Sequence, residues 1–341
     1  MPARTRRGEV GVVDLARELE VSTATVSRAL NGSERVRPEL ARRIRDHARD
    51  RGYVANRHAR ALSSNSSHAF VGFVIPYVDT PAYSAVAAEC ARLLSADGTQ
   101  MILTITENDP RRELDQVRDL LATRVAGVVV SPSTGILAAT RELLRALPVV
   151  QFHRGAGIGA PGVFSDDAAL GEAVSRLVDL GHRRIGYIGP SRAISNGAAR
   201  LTAVRDGAAA AGLDPDSLAV RLLEPATDQG AGAVRELLHR ADRPTALVVG
   251  GGTLSLAVAR EVRASGLALP GDLSLVVYGD PAWFALHDPP LTVVSVDYPE
   301  LARRAARLLL GGIGGDPPGG DVLLPSELRT GGSTGPPPPG T

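Results

Sequence analysis

The chain has a single cysteine, Cys90, so no disulfide can form within it, and no Cys/His pair stands at zinc-ligand spacing. That usage fits a reducing cytoplasm. No apolar run reaches the ~18 residues of a membrane helix, and the basic opening MPARTRRGEV is not followed by the apolar segment of an export signal. A soluble, intracellular protein is expected. Lysine is missing altogether, so all 38 Lys+Arg positions are Arg. Arginine suits bidentate contacts to phosphate and guanine, but by itself it assigns no function. There is no G-x-S-x-G elbow, no phosphate loop with its lysine and no H-E-x-x-H pair. No enzyme activity, metal site or cofactor is therefore expected.

At 341 residues the chain exceeds one typical domain, and its net charge of +1 hides an asymmetry. Residues 1–62 carry 14 Arg against 8 acidic residues, a balance of +6, which leaves −5 for the remainder. A basic arm on a mildly acidic body is what phosphate binding would produce, although solvated basic faces are common and charge alone is a weak signal.

The arm contains VVDLARELEVSTATVSRAL followed by Asn31. Val12, Leu15, Ala16 and Leu19 fall on one helical face, and Val26, Ala29 and Leu30 repeat the spacing after Val21-Ser22. Helices from Val12 to Glu20 and from Thr23 to Leu30 are expected, with Ser22 capping the second and Asn31-Gly32 stopping it. The second helix leaves Thr23, Ala24, Thr25, Ser27 and Arg28 facing outward, a surface small enough for a major groove and carrying an Arg able to donate twice to guanine. Periodicity alone fits an ordinary surface helix pair equally well. A third helix begins at Pro38, lines one face with Leu40, Ala41, Ile44 and Ala48, and closes at Gly52.

The wider window from 10 to 62 resembles the DNA-binding headpiece of the lactose-repressor/galactose-repressor (LacI/GalR) family of bacterial transcription regulators. The residues that carry the likeness are VSTATVSRALN, the third helix, Gly52-Tyr53, and Asn56 followed by Ala59-Arg60-Ala61-Leu62. The resemblance implies a headpiece over 10–55 after a disordered lead-in (1–9). A hinge and linker then follow over 56–67. It further implies that Asn56, Ala59, Arg60 and Leu62 meet DNA, Leu62 as a wedge in the minor groove; packing of Leu62 on the headpiece is the plainer alternative.

From Phe70 the pattern becomes alternating apolar strands and helices through Tyr278, as in serial βαβ units that build parallel doubly wound sheets. So many strands exceed one sheet and imply two lobes. LGHRRIGYIGP, RPTALVV, DLSLVVYGD and HDPPLTVV resemble the effector-binding and dimerisation core of the same regulators, a type I periplasmic-binding-protein-like fold. By that likeness the core spans 68–334, with one lobe over 68–165 and 292–322 and the other over 166–291 and 323–334. The tail 335–341, rich in proline, reads as disordered.

Loops at the carboxyl ends of such strands hold small molecules. Here they offer Tyr83, Ser131, Arg154, Arg200, Asp280 and Trp283 as effector-binding candidates. Arg200 sits where the family's ligand-binding arginine lies, the alternative being an ion pair within its lobe. His182 in LGHRR reads as a structural residue at a turn. Gly250-Gly251-Gly252 follows a strand and opens a helix, but lacks the spacing and lysine of a nucleotide loop. Four positions depart from the family. Gly251-Gly252 replaces Asn-Asp, Gly279 replaces an aspartate, Glu20 replaces the glycine of the headpiece turn, and Ala55 replaces the proline before Asn56. Losing carboxylates weakens recognition of paired sugar hydroxyls.

The expected protein is a homodimeric transcriptional regulator, a repressor of metabolic genes, that binds pseudo-palindromic operator DNA and answers to a small-molecule effector such as a sugar. Two rivals are a binding protein of transport and an effector-independent or architectural DNA-binding protein with a decayed pocket.

Overall fold

The computed structural model describes residues 10–30, 33, 35–53, 70–224, 229–279, 284, 286–317 and 319–339. The expected lead-in and hinge therefore lie outside the described residues. The chain divides into two units, Met1–Ser66 and Ser67–Thr341.

In the first unit the apolar spacing produces α1 (Val12–Glu18), α2 (Thr23–Leu30) and α3 (Pro38–Asp50). Leu15, Leu19, Val26, Ala29, Ile44 and Ala48 meet in its core. Helix α1 stops short of Glu20 because Glu20 takes a left-handed φ of 57°, and the Val21 N–H then donates back to the Ala16 carbonyl at 3.0 Å. This is the turn where glycine was expected, and a side chain there costs roughly 1 kcal/mol. Three bonds offset it: Glu18 accepts from His47 Nε2 at 2.8 Å and from Arg51 Nε at 3.0 Å and Nη2 at 2.7 Å, fastening α1 to the end of α3.

The second unit holds two six-stranded sheets. Its strands are β1 (Phe70–Ile75), β2 (Gln100–Ile105), β3 (Val128–Val130), β4 (Val149–Phe152), β5 (Gly162–Ser165), β6 (Ile185–Pro190), β7 (Ala219–Leu223), β8 (Ala246–Val249), β9 (Ser274–Tyr278), β10 (Thr292–Val296), β11 (Val322–Leu324) and β12 (Ser326–Arg329). Sheet order is β11-β5-β4-β3-β1-β2 in one lobe and β12-β10-β9-β8-β6-β7 in the other. Every pairing is parallel except β12 on β10. Between strands run α4 (Pro81–Ala96), α5 (Pro110–Ala122), α6 (Ala138–Arg145), α7 (Ala168–Asp179), α8 (Ser195–Ala210), α9 (Gln229–Leu238), α10 (Gly252–Ala264) and α11 (Tyr298–Gly314). Strands such as β1, β4, β6, β8 and β9 are buried throughout, which is why they read as unbroken apolar runs rather than alternating ones.

Two boundaries need correction. The likeness places 292–296 in the first lobe, yet β10 pairs with β9 in the second sheet, Thr292 opposite Val276. The chain crosses at Asp297, where its side chain caps α11 through the Glu300 N–H, and α11 returns to the first lobe. Cys90 on α4 donates there to the Ala302 carbonyl. The last crossing falls between β11 and β12, at residue 325 rather than 323. The physical reason is burial: Thr292–Val296 is buried along its whole length, and only the centre of a sheet offers cover on both faces. The tail is also not disordered from 335. The carbonyl of Gly335 accepts from His182 Nε2 at 2.9 Å and its N–H donates to Ser274 Oγ at 3.0 Å, so the tail closes over a buried imidazole; residues 340 and 341 lie outside the described set.

Candidate DNA-binding face and ligand cleft

Helix α2 commits Val26 and Ala29 to the core and leaves Thr23, Ala24 and Arg28 exposed. Ser22 is the cap: its Oγ accepts from the Thr25 N–H at 3.1 Å and lies 2.8 Å from Thr25 Oγ1. Ser22 and Thr25, expected to hold DNA backbone, thus first hold each other. Ser27 is half-buried and bonded. Asn31, Asn56, Ala59, Arg60 and Leu62 lie outside the described residues.

Around these residues the unit presents a feature not singled out in the sequence. Arg28, Arg35, Arg37, Arg42, Arg43 and Arg45 are all exposed, and their side chains make no ion pair among the described residues. Arg17, Arg49 and Arg51, by contrast, pair with Asp14, Asp46 and Glu18. The surplus charge was legible in the count, but which cations were free was not.

In the second unit the carboxyl ends of the two sheets face each other across a cleft. Bonds between the lobes cross it: the Gly155 N–H donates to Ser195 Oγ at 2.8 Å, and Thr134 Oγ1 donates to Glu224 Oε2 at 3.4 Å. On the first lobe Tyr83, Ser131 and Arg154 come together as expected, but their groups are engaged. Tyr83 bonds Ser131 Oγ at 2.8 Å and packs edge-on against Phe152 and His153, so it is not an open stacking platform. Arg154 is buried and donates through Nη1 to Asn108 Oδ1 at 2.9 Å and the Pro132 carbonyl at 3.3 Å. Its Nε is buried without a partner.

On the second lobe Arg200 is 2% exposed. Its Nε donates to Asp167 Oδ1 at 3.0 Å, Nη1 to the Gly250 carbonyl at 2.9 Å and Nη2 to Tyr278 OH at 2.7 Å, with the guanidinium 3.9 Å above the Tyr278 ring. The expected ligand arginine is therefore held in an ion pair at the floor of its lobe, the alternative reading of the sequence. Burial pushes the Asp167 carboxyl above the ordinary aspartate value, while Arg200 pulls it back. Burial, then Arg200 and Arg154, drive His153 well below the ordinary histidine range, so this imidazole is neutral between two guanidiniums. Asp280 and Trp283 lie outside the described residues.

Sequence reasoning missed Asn108, His153, Asp167, Ser195 and Tyr278. Asn108 and His153 both adopt left-handed φ, 61° and 62°; Asn108 had a signal in the Asn-Asp-Pro turn before α5, whereas His153 had none. A separate groove of about 450 Å³ lies at the opposite ends of the strands, between α6, β4 and α11. Among the described residues no cluster of His, Cys, Asp and Glu is placed to hold a metal, and no helix is long and apolar enough to cross a membrane.

Comparison with known proteins yields two matches along the chain. Residues 12–56 match bacterial regulatory proteins of the lacI family, and residues 174–334 match the periplasmic binding protein-like domain. The chain is 31% identical over 338 residues to the HTH-type transcriptional regulator MalR of Streptomyces coelicolor, covering 95% of this chain and 96% of that one. It is 30% identical over 307 residues to the HTH-type transcriptional regulator CelR of Thermobifida fusca, covering 87% and 89%. Its fold is similar to that of the lac repressor dimer bound to operator and the anti-inducer ONPF, with a TM-score of 0.85 at 22% identity over 96% of this chain and 99% of that one. A CelR–cellobiose complex superposes with a TM-score of 0.68 at 25% identity over 95% and 100%.

Proposed function

The chain belongs to the lacI family of bacterial regulatory proteins, and from that premise we propose that it is a homodimeric, cytoplasmic repressor that releases or grips its operator according to a metabolite in the cleft. The observation that carries the DNA half is α2, whose outward face combines Thr23, Ala24 and Arg28 with no ion pair to the arginine among the described residues. Thr23 and Ala24 read base edges, Arg28 reads a guanine or a phosphate, and Ser22, Thr25, Ser27 and Asn31 hold the backbone. Asn56, Ala59, Arg60 and Leu62 belong to the hinge, with Leu62 wedging the centre of the site. Two copies on a two-fold axis set the spacing of a pseudo-palindromic operator.

The effector half is supported by the bonds between lobes. Gly155–Ser195 and Thr134–Glu224 form only when the carboxyl ends are close, so a ligand that prefers one lobe separation over the other shifts the population. The crossings near 166, 297 and 325 are the segments about which the lobes turn. CelR, a relative, is known in complex with cellobiose, and a sugar or related metabolite is the ligand class we assign here. A second reading, a regulator that has lost its effector, is favoured by one observation, the glycines at 251, 252 and 279 where the family carries amide and carboxylate side chains.

Sequencing of genomic fragments retained by the purified protein at two salt concentrations tests the DNA reading. Enrichment of one palindrome that survives the higher salt is the expected result. Uniform, salt-labile retention would replace the repressor reading with an architectural one.

A further inference from the structure

Helix α10 opens at the cleft without a cap. Its N-cap is Gly251, no side chain accepts from the first turn, and the first turn holds no acidic residue. The N–H groups of Gly251, Gly252 and Thr253 donate to nothing among the described residues. Unpaired first-turn N–H groups carry the positive end of the helix dipole and favour an anion.

Packing does not demand this. A Cβ on Gly251 would meet nothing nearer than Pro190 Cδ at 3.7 Å, and one on Gly252 nothing nearer than the Tyr278 carbonyl at 3.8 Å. Gly250 and Gly279 are different: a Cβ on Gly250 would lie 2.1 Å from Tyr187 OH, and Gly279 has a φ of +87°. Two of the four glycines are therefore required by the fold, and the two that open the helix are not.

A second observation lies beside the helix start. Tyr187 is fully buried, and its hydroxyl, wedged against Gly189 and Gly250 at the strand ends, has no partner. A third lies on the facing wall, where the buried Arg154 has only neutral acceptors and an unpartnered Nε. The carboxylates nearby are already placed: Asp167 is bound by Arg200, the buried Glu113 lies in the field of Arg154 and accepts from the Ser133 N–H, and Glu224 bonds Thr134 at the rim, where Asp79 is exposed. Arg200 thus has a buried carboxylate bonded to it, whereas Arg154 has only the field of Glu113, whose carboxylate, among the described residues, does not bond the guanidinium.

We infer that the effector is an anion, a metabolite whose carboxylate or phosphate sits on the open N-terminus of α10 beside Tyr187 and facing Arg154. The glycines mark a changed ligand class rather than a lost site. This rests on the reading of the cleft as an effector site.

The test uses the full chain and four probes at constant ionic strength: glucose, cellobiose, glucuronate and glucose 6-phosphate, with inorganic phosphate as the reference for charge alone. Melting temperature and release of an operator fragment are read together. We expect glucuronate or glucose 6-phosphate to raise the melting temperature and alter operator retention, with glucose and cellobiose silent; which of the two acts distinguishes carboxylate from phosphate. Gly252→Asp, which fills the open helix start with a charge that the space admits, should weaken that response at least tenfold without lowering the unliganded melting temperature. A response to a neutral sugar alone would keep the effector reading and overturn the anion. An anion response that survives Gly252→Asp would overturn its placement on the start of α10. Silence with all four probes would remove both the anion and the effector reading.

Discussion

The two units differ in where they keep the guanidinium: every described headpiece arginine is exposed, whereas the core buries Arg154 and Arg200. In the headpiece Arg28, Arg35, Arg37, Arg42, Arg43 and Arg45 stand exposed without ion pairs among the described residues, whereas the core closes Arg200 into a buried pair with Asp167. The exposed arginines of the core behave as those of the headpiece do: some pair at the surface, as Arg240 with Asp242, and some, as Arg124 and Arg263, have no ion pair among the described residues. An exposed guanidinium in water costs nothing while it waits and gains by displacing counterions at a phosphate. A buried one must be answered from within, because its desolvation penalty exceeds any surface pair. In a chain without lysine, residue type does not separate the two uses; burial does.

Removing one side of the buried pair gives the largest effect. Arg200→Met leaves Asp167, Tyr278 OH and the Gly250 carbonyl without their donor, and urea denaturation should show the core losing about 3–5 kcal/mol, while Arg43→Ala changes stability by less than ~0.5 kcal/mol. Equal losses would erase the distinction between the units. Arg28→Ala comes next: operator affinity should fall by about 1–3 kcal/mol with discrimination relaxed at one base pair, and an unchanged affinity would remove α2 from the groove. For Arg42→Ala, Arg43→Ala or Arg45→Ala, the slope of log affinity on log salt should become shallower by ~1 for each residue that meets a phosphate, with sequence preference retained.

Acid should also separate the units. In the core, burial holds His182 below the ordinary histidine value, and burial with Arg200 and Arg154 does the same to His153. With folded values depressed, the unfolded chain takes up protons first. The contribution is therefore full above ~6.5 and lost as pH falls below it. In the headpiece Arg51 and His47 hold Glu18 low, so its contribution is full above ~4.3 and lost only at lower pH. Hydrogen exchange between pH 7.5 and 5.5 should show protection falling in β4, β6 and β9 and holding in α1 to α3; the reverse order would refute both assignments. The smallest effect is at the turn. Glu20→Gly relieves the left-handed φ but adds freedom to the unfolded chain, and thermal melting should show a gain of a few tenths to ~1 kcal/mol.

Much of the architecture was legible because the signals are local. Ser22 before α2, Pro38 at the start of α3 and the apolar runs of β1, β6, β8 and β9 each depend on neighbours a few residues away. The departures from that reading are all long-range. The runs themselves could not assign β10, since an apolar strand fits either sheet until its partners exist. Nor could they place Gly335, whose acceptor role depends on His182, 153 residues earlier. Ser131 does follow the end of β3, while Tyr83 lies in the first turn of α4 rather than in a loop, and their bond to each other joins residues 48 apart.

By itself, then, the sequence determined the three-helix headpiece, the alternation of strand and helix, the excess of positive charge in the first 62 residues, and the outward face of α2. These follow from periodicity and caps, which act within a turn or two of chain. Only the tertiary structure decided which arginines are free, that Arg200 faces inward to Asp167, and that Gly251 and Gly252 leave a helix start open where the fold does not require it. Those outcomes depend on what the folded chain brings next to each charge, and burial makes an unanswered charge too costly for neighbouring residues in sequence to settle alone.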